Sequence, residues 1–261
     1  MPPQVTVTEQ IGAVAGEAIA LAIHATVAAR GRCCLALSGG SSPGPVMEWL
    51  AEHLSTTLVQ RLVVTWVDER HLPISSEVEE AGVEGAGGEG PGAEGSGFDW
   101  RALPEASNLR LAWAHWFSRI SELPTLVPMA RPGSLDEAVR GYTADFAERV
   151  QRVDVALLGA GPDGHIASLF PGHPALDATG VCVAVEDSPK PPPLRLSLTM
   201  PVLQDVDHAV LVASGSAKAS MLQQAHTGQP ELPLGRYRPA GAWRWVLDPA
   251  AAALIEDVRM S

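Results

Sequence analysis

The sequence predicts an α/β fold built on a mostly parallel β-sheet with helices on both faces. Short apolar segments alternate with windows of helical spacing, which is the pattern of βαβ units. The apolar segments are continuous rather than alternating, as parallel strands covered on both faces are. Because ligands bind beyond the carboxyl ends of the strands in such sheets, the residues that follow each strand are the first candidates for function.

Helical and strand periodicity places the secondary structure along the chain. Apolar positions at helical spacing predict an amphipathic helix over residues 9–29, and "VMEWLAEHL" predicts a second helix. Buried strands are predicted at 33–38, 62–68, 153–159, 181–185, 194–200, 208–214 and 243–247. Further helical windows lie near 105–121, 134–151, 216–226 and 248–256. We expect a single α/β domain over residues 1–261.

One segment departs from this pattern. The stretch "SSEVEEAGVEGAGGEGPGAEGSG" (75–97) is dominated by Gly and Glu and contains no Lys, Arg or aromatic residue. It cannot bury enough apolar surface to offset the entropy of ordering it. We therefore predict a mobile insertion at about 75–100, which is tolerated at the surface; a gating lid is the alternative.

The composition limits the class of protein. A chain of 261 residues with 46% hydrophobic and 18% charged residues is typical of a globular protein that buries a substantial core. Its formal net charge of −12 argues against nonspecific binding to nucleic acid or anionic membranes. We expect neither as a partner, and we expect a monomer or a weak homodimer. Local positive groups would have to hold an anionic substrate.

The cysteines and the first residues indicate the compartment. Cys33, Cys34 and Cys182 form neither a disulfide framework nor a CxxC zinc pattern, which favours a reducing, cytoplasmic environment. The start "MPPQVTVTEQ" lacks the basic and apolar regions of a signal peptide. The apolar window "AVAGEAIALAIHATVAA" is interrupted by Glu17 and His24, so we expect it to fall short of a membrane span.

A glycine-rich turn follows the first predicted buried strand, in "LALSGGSSPGP" (35–45). Glycines let backbone N–H groups approach a ligand closely, and the next helix begins with the positive end of its dipole. The turn is a candidate phosphate cradle, and an ordinary serine-capped strand-to-helix turn is the alternative. The residues of this turn are Ser38, Gly39, Gly40, Ser41 and Ser42.

Charged residues follow two other predicted strands. In "WVDERHLP" (66–73), Arg70 is suited to bind a phosphate with two N–H groups, and a solvated loop with an Asp–Arg ion pair is the alternative. In "DVALLGAGPDGHIASLFPG" (154–172), Asp163 and His165 bracket a glycine. A histidine titrates near neutral pH and can accept a proton from water, and a nearby carboxylate can orient its ring. A histidine that merely caps the following turn is the alternative.

Lysine and arginine residues in two later segments can add positive charge. They are Lys190 or Arg195 in "EDSPKPPPLRLSLTM" and Lys218 in "ASGSAKASML". A lysine in the first turn of a helix opposes the helix dipole, which is understandable if an anion compensates it. A solvent-facing lysine is the alternative at position 218.

Together these blocks resemble the 6-phosphogluconolactonase family, which also holds the glucosamine-6-phosphate deaminases. The matching segments fall in order between residues 35 and 218 and are "LALSGGSSP", "VDERHLP", "SN" (107–108), "LLGAGPDGHIASLFPGHP", "DSPKPPPLRLSLTMPVL" and "SGSAKA". The combination of "GPDGHIASLFPGHP" with "SPKPPP" is highly specific. This sequence departs from the family pattern where the Gly/Glu segment separates Pro73 from Ser107, and a His that often precedes "SN" is missing.

The resemblance implies a Rossmann-like enzyme of the sugar-phosphate isomerase and lactonase type, located in the cytoplasm. It implies hydrolysis of 6-phosphoglucono-1,5-lactone to 6-phosphogluconate in the oxidative pentose phosphate pathway, without a metal or redox cofactor. The catalytic histidine of the family falls on His165 and its flanking aspartate on Asp163. The residues implied for binding the substrate and its phosphate are Ser38, Gly39, Gly40, Ser41, Ser42, Asp68, Arg70, Arg195 and Lys218.

The expected chemistry is general-base hydrolysis. His165 would deprotonate the water that attacks the lactone carbonyl and then return the proton to the departing ring oxygen. The serines of "SGGSS" lack the GxSxG spacing of a nucleophile elbow, so no Ser-His-Asp triad is expected. The donor to the developing oxyanion stays open between backbone N–H groups of the glycine turn and Arg70.

Three other functions compete with this hypothesis. A sugar-phosphate deaminase on the same fold would continue after "DGHIA" with "FNEPG", whereas this chain has "SLFPG". A noncatalytic phosphosugar sensor of a transcriptional regulator would carry an appended basic helix-turn-helix. A dinucleotide oxidoreductase is disfavoured because "GAGPDG" (159–164), which mimics the glycine fingerprint of that class, occurs late in the chain.

Overall fold

The computed structural model describes residues 2–72 and 103–256, together with the backbone of residues 259–260. The Gly/Glu-rich segment, predicted as a mobile insertion at about 75–100, lies outside the described residues. Both that prediction and the assignment of the whole chain to one domain therefore stay predictions.

A parallel sheet of eight strands forms the centre of the described fold. The strands of the two sheets are, in chain order, β1 (Gln4–Val7), β2 (Cys33–Leu37), β3 (Leu62–Trp66), β4 (Asp68–Arg70), β5 (Thr125–Leu126), β6 (Val155–Gly159), β7 (Cys182–Val185), β8 (Arg195–Leu198), β9 (His208–Ala213), β10 (Ala242–Leu247) and β11 (Arg259–Met260). The large sheet has the order β11-β1-β10-β9-β6-β2-β3-β5, and all its pairs are parallel. Strands β2 and β3 are buried along their whole length. The predicted parallel α/β fold is confirmed.

Helices flank this sheet. The α-helices of the described residues are α1 (Ile11–Arg30), α2 (Gly44–His53), α3 (Thr56–Val59), α4 (Asn108–His115), α5 (Leu135–Asp145), α6 (Met200–Gln204), α7 (Ala219–His226), α8 (Pro233–Arg236) and α9 (Pro249–Ala252). A π-helical turn at Phe146–Val150 continues α5, which accounts for the predicted window 134–151. The predicted window 105–121 is shorter as a helix, because the chain changes to a 3₁₀ turn at Phe117–Arg119.

Strands β4, β8 and β7 form a second, antiparallel sheet. The predicted strands at 181–185 and 194–200 therefore exist but do not join the parallel sheet. A parallel connection requires a crossover of a dozen or more residues, whereas only residues 186–194 separate β7 from β8. Arg70 pairs with Arg195 across this sheet, so the second sheet joins the "DER" segment to the segment around 195.

Helix α1 is long and apolar enough, by length and composition, to cross a membrane. The expectation that this window falls short of a span was therefore wrong on those criteria. Its buried positions include Ala15, Ile19 and Ile23, and it packs on α2 and on strand β9. A core helix that covers a parallel sheet has the same apolar composition, and this packing accounts for it here.

The buried carboxylate of Glu69 ties the second sheet to helix α4. Its Oε1 atom accepts the N–H groups of Arg70 and Asn108, each at 2.8 Å. Its Oε2 atom accepts the N–H of Leu109 at 2.8 Å and the hydroxyl of Ser107 at 3.1 Å. Burial raises the pKa of Glu69 to about 7, although the N–H donors at the helix start oppose that shift.

The raised pKa of Glu69 makes the stability of the fold depend on pH. The folded state keeps a proton that the unfolded chain, with an ordinary pKa of 4.5, releases, so stability is lost as the pH rises from 4.5 to about 7. We expect the advantage of the wild-type chain over Glu69→Gln in the free energy of unfolding to shrink by about 2 kcal/mol between pH 5 and pH 8. Urea denaturation at the two pH values measures it.

The control for this measurement is Glu17→Gln, which changes an exposed carboxylate on α1. Its effect on stability should be small at both pH values. A difference between wild type and Glu69→Gln that stays constant from pH 5 to pH 8 would show that Glu69 ionises normally in the folded protein.

Candidate active site

A cavity of about 220 Å³ opens at the carboxyl ends of the neighbouring strands β9, β6 and β2. This is the edge of a parallel sheet where ligands bind. The residues that line it are Ser38, Gly39, Gly40, Ser41, Ser42, Pro43, Asp68, Arg70, Asn108, Gly159, Ala160, Gly161, Pro162, His165, Ala167, Lys190, Arg195 and Lys218. Every predicted site residue except Asp163 lines this cavity, and Asp163 contacts His165.

The glycine turn after β2 forms one wall of the cavity. A side chain at Gly39 would place its Cβ atom 1.8 Å from Oδ1 of Asn108, so only glycine allows the turn to pack this closely. Gly40 has a φ of 99°, in the region that favours glycine. The turn leads into α2, whose first N–H groups face the same end of the sheet.

Strand β4 contributes Asp68 and Arg70 to the cavity. The buried Asp68 carboxylate accepts the hydroxyl of Ser168 at 2.6 Å and the side-chain amide of Asn108 at 3.1 Å. The guanidinium of Arg70 donates to the backbone carbonyl of Ala106. These bonds hold both side chains in place without consuming the whole donor set of Arg70.

The loop after β6 brings His165 against Asp163. The Nδ1 atom of His165 lies 2.5 Å from Oδ1 of Asp163. A Cβ atom at Gly161 would lie 2.1 Å from Cε1 of His165 and 2.6 Å from the Asp163 carboxylate, so the pair requires glycine at that position. The imidazole ring also packs on Phe170, with 4.6 Å between the ring centroids. His165 therefore does not merely cap the following turn, which was the alternative at this position.

Opposing effects act on the pKa of Asp163. Partial burial raises it, but the hydrogen bonds and positive charges of His165 and Lys190 outweigh burial and hold it well below its ordinary value. Asp163 is therefore an anion at any pH at which the protein is expected to work. An anion at this place accepts a hydrogen bond from a protonated Nδ1 of His165 and leaves the other ring nitrogen free.

Positive charge also reaches the cavity from Lys190, Arg195 and Lys218. Lys190 lies with its Nζ atom 3.0 Å from Oδ1 of Asp163. Arg195 is buried, and its guanidinium lies 3.9 Å from the Asp68 carboxylate. The sequence offered Lys190 or Arg195 as a source of positive charge, and the structure brings both to the site.

Lys218 ends a 3₁₀ turn that directly follows β9 and Gly215. Burial lowers the pKa of its amine; Asp248 opposes this shift and the positive charge of Lys190 adds to it. The solvent-facing alternative for Lys218 is thus wrong, because the side chain is partly buried and lines the cavity. A partly buried, incompletely compensated ammonium is suited to bind an anion.

Two residues that the sequence did not assign to the site contribute to it. Asn108 was quoted only within the "SN" block, and it bonds Asp68 and packs on Gly39. Ser168 holds Asp68 from the loop that carries His165. Neither position has a sequence signal beyond its block, because tertiary pairing defines its role. Within residues 2–72 and 103–256, no cluster of three or more His, Cys, Asp or Glu side chains is suited to hold a metal ion.

The chain is similar to one known protein family and to curated proteins along most of its length. The model of "Glucosamine-6-phosphate isomerases/6-phosphogluconolactonase" matches residues 7–83 and 101–245. The 6-phosphogluconolactonase of Mycobacterium tuberculosis is 32% identical over 257 residues, covering 92% of each chain. That of Homo sapiens is 34% identical over 265 residues, covering 95% of this chain and 91% of its own.

Solved structures support the same fold. The 6-phosphogluconolactonase of Thermotoga maritima superposes with a TM-score of 0.77 at 20% identity, covering 94% of this chain and 99% of its own. That of Trypanosoma cruzi also has a TM-score of 0.77, at 23% identity, covering 98% of this chain and 97% of its own. The predicted Rossmann-like class is confirmed. By the extent of the family match and of its curated relatives, this chain belongs to the glucosamine-6-phosphate isomerase/6-phosphogluconolactonase family.

Proposed function

We propose that this protein hydrolyses 6-phosphoglucono-1,5-lactone to 6-phosphogluconate, in the oxidative pentose phosphate pathway and in the cytoplasm. The observation that carries the proposal is the His165–Asp163 pair, which opens on a cavity that also collects Arg70 and Lys218. A base and an anion-binding group thus face the same small volume. Curated relatives named 6-phosphogluconolactonase, similar along nearly the whole chain, support this choice of substrate.

The phosphate end of the substrate has matching partners in the cavity. Arg70 and Lys218 supply positive charge, and the 38–42 turn supplies backbone N–H groups at the start of α2. The chain as a whole carries a net charge of −12, so an anion must be attracted locally. In our proposal the phosphate binds between these groups and leaves the lactone ring facing His165.

The imidazole of His165 performs the proton transfers in this mechanism. The Asp163 carboxylate holds the proton on Nδ1, so Nε2 carries the lone pair. Nε2 removes a proton from a water molecule while the water oxygen forms a bond to the lactone carbonyl carbon. When the bond between that carbon and the ring oxygen breaks, the imidazolium returns the proton to the ring oxygen. The product is a carboxylic acid with a free hydroxyl.

The size of the catalytic task suits one general base. A lactone is an activated ester, and a positioned base contributes roughly 10²–10⁴-fold to the rate of such a reaction. The enzyme then needs no covalent intermediate, and no serine of the 38–42 turn is required as a nucleophile. Positioning of the water and of the lactone by the phosphate grip supplies further acceleration.

The activity is tested by following acid release from freshly generated 6-phosphogluconolactone, corrected for spontaneous hydrolysis. We expect turnover of the lactone and no release of ammonia from glucosamine 6-phosphate, which is the reaction of the deaminase branch of the family. Ammonia release without lactone turnover would replace the proposal by that alternative.

Replacement of the base tests the role of His165. His165→Ala should lower kcat by about 10²–10⁴-fold with little change in KM, because the base acts only in the transition state. The control is His24→Ala, which removes an exposed histidine on α1 and should leave both constants unchanged. Full turnover by the His165 variant would exclude it from the mechanism.

Replacement of a cavity cation tests the phosphate grip. Lys218→Met should raise KM about 10- to 100-fold with a smaller effect on kcat, because the lost charge-assisted bond is made in both ground and transition states. Arg244→Met removes the same charge from an exposed position on β10 and should leave KM unchanged. Steady-state kinetics of the two variants measure the difference. An unaltered KM in Lys218→Met would place the phosphate elsewhere.

A further inference from the structure

The chain contains two lysines, Lys190 and Lys218, although Lys and Arg together number 18. Both lysines line the cavity, so every other cationic side chain of the protein is an arginine. Lysine is a compact point charge with three donors, whereas arginine is a planar fork. Lys218 has a role in the proposed phosphate grip, and Lys190 has none so far.

Lys190 points at the catalytic pair rather than at open cavity. Its Nζ atom lies 3.0 Å from Oδ1 of Asp163 and 3.3 Å from Nδ1 of His165. The short contact between Nδ1 and the carboxylate oxygen requires a proton between them, so Nδ1 is a donor. The ammonium and the imidazole N–H therefore donate to the same oxygen of Asp163.

The backbone around Lys190 is held firmly enough to specify this contact. The buried guanidinium of Arg195 donates to the carbonyl of Lys190 at 2.9 Å and to that of Pro192 at 3.1 Å. The hydroxyl of Ser188 donates to the same Lys190 carbonyl at 2.9 Å. Arg195 is therefore engaged with this segment and restricts the backbone from which the Lys190 side chain extends.

We propose that Lys190 is a positioning residue for His165: it fixes the Asp163 carboxylate and opposes protonation of the ring, which keeps Nε2 free as a base. Only the kinetic consequence of this inference rests on the proposed general-base function. The contacts themselves concern the ligand-free protein.

The sign of the electrostatic effect follows from the charges around the ring. Asp163 favours the charged imidazolium, and the ammonium of Lys190 at a comparable distance disfavours it. Removal of the ammonium eliminates the repulsion and also leaves the carboxylate less neutralised. Both changes favour the imidazolium. The other charged side chains that line the cavity around His165 are Asp68, Arg70, Arg195 and Lys218.

The direct test is an NMR titration of the His165 imidazole in ligand-free protein, with its signals assigned by their loss in His165→Gln. In Lys190→Met the midpoint of the titration should move to higher pH by about one unit. Lys190→Arg, which retains the charge, should show less than half of that shift. Lys218→Met, which removes the other lysine of the cavity, serves as the matched control. It should shift the His165 midpoint less than Lys190→Met does.

The kinetic test separates positioning from substrate binding. In Lys190→Met, the acid limb of the kcat/KM profile for the lactone should move to higher pH together with the NMR midpoint. An increase in KM with an unmoved midpoint would instead make Lys190 an anion ligand and overturn the proposal. A uniform loss of kcat with an unmoved midpoint, seen also in Lys190→Gln, would reduce Lys190 to a structural role and overturn it as well.

Failure of the proposed function leaves a different signature. If the wild-type chain does not hydrolyse the lactone, the kinetic test has no signal, but the shift of the His165 midpoint in Lys190→Met remains measurable. If the wild-type chain does hydrolyse the lactone but the His165 midpoint is unmoved in Lys190→Met, the role of Lys190 is refuted and the proposed function stands.

Discussion

The contact between Nδ1 of His165 and the Asp163 carboxylate is the interaction on which the candidate site depends. It is possible because Gly161 has no side chain, since a Cβ atom there would occupy the space of both partners. Strand β6 carries this loop and lies between β9 and β2 in the parallel sheet. His165 therefore emerges between the glycine turn after β2 and Lys218 after β9, and the sheet order alone brings these groups to one cavity.

Charge is the second constraint, and the site distributes it unevenly. An acidic chain concentrates four cationic side chains around one small cavity, but these cations are not equivalent. Arg195 is engaged with backbone carbonyls, and Lys190 is engaged with Asp163. Arg70 and Lys218 keep more of their donor capacity for a ligand. In our proposal the positive charge of the cavity serves two purposes, and the hydrogen-bond partners distinguish the cations that bind substrate from the one that positions the His165–Asp163 pair.

Much of the fold and of the site could be predicted from the sequence, because both depend on local patterns. Continuous apolar strands such as β2 and β3 predict a parallel sheet. Glycines and charged residues that follow a strand indicate the edge of the sheet where ligands bind. The two-residue strand β5 was missed because two residues show no periodicity. Of strand β4, only Asp68 falls within the predicted strand 62–68, since no local signal marks the point where the chain leaves one sheet for another.

The second sheet explains why the roles of single residues were harder to predict than their presence. Pairing of β4 with β8 sets Asp68 near Arg195, and Ser168 joins both to the loop of His165. None of these partners is near another in sequence, so spacing carries no trace of the pairing. The same sheet delivers the segment that presents Lys190 to Asp163. The parallel sheet thus places His165, whereas the antiparallel sheet places Asp68 and Arg195 at the same cavity, through a pairing that exists only in the folded chain.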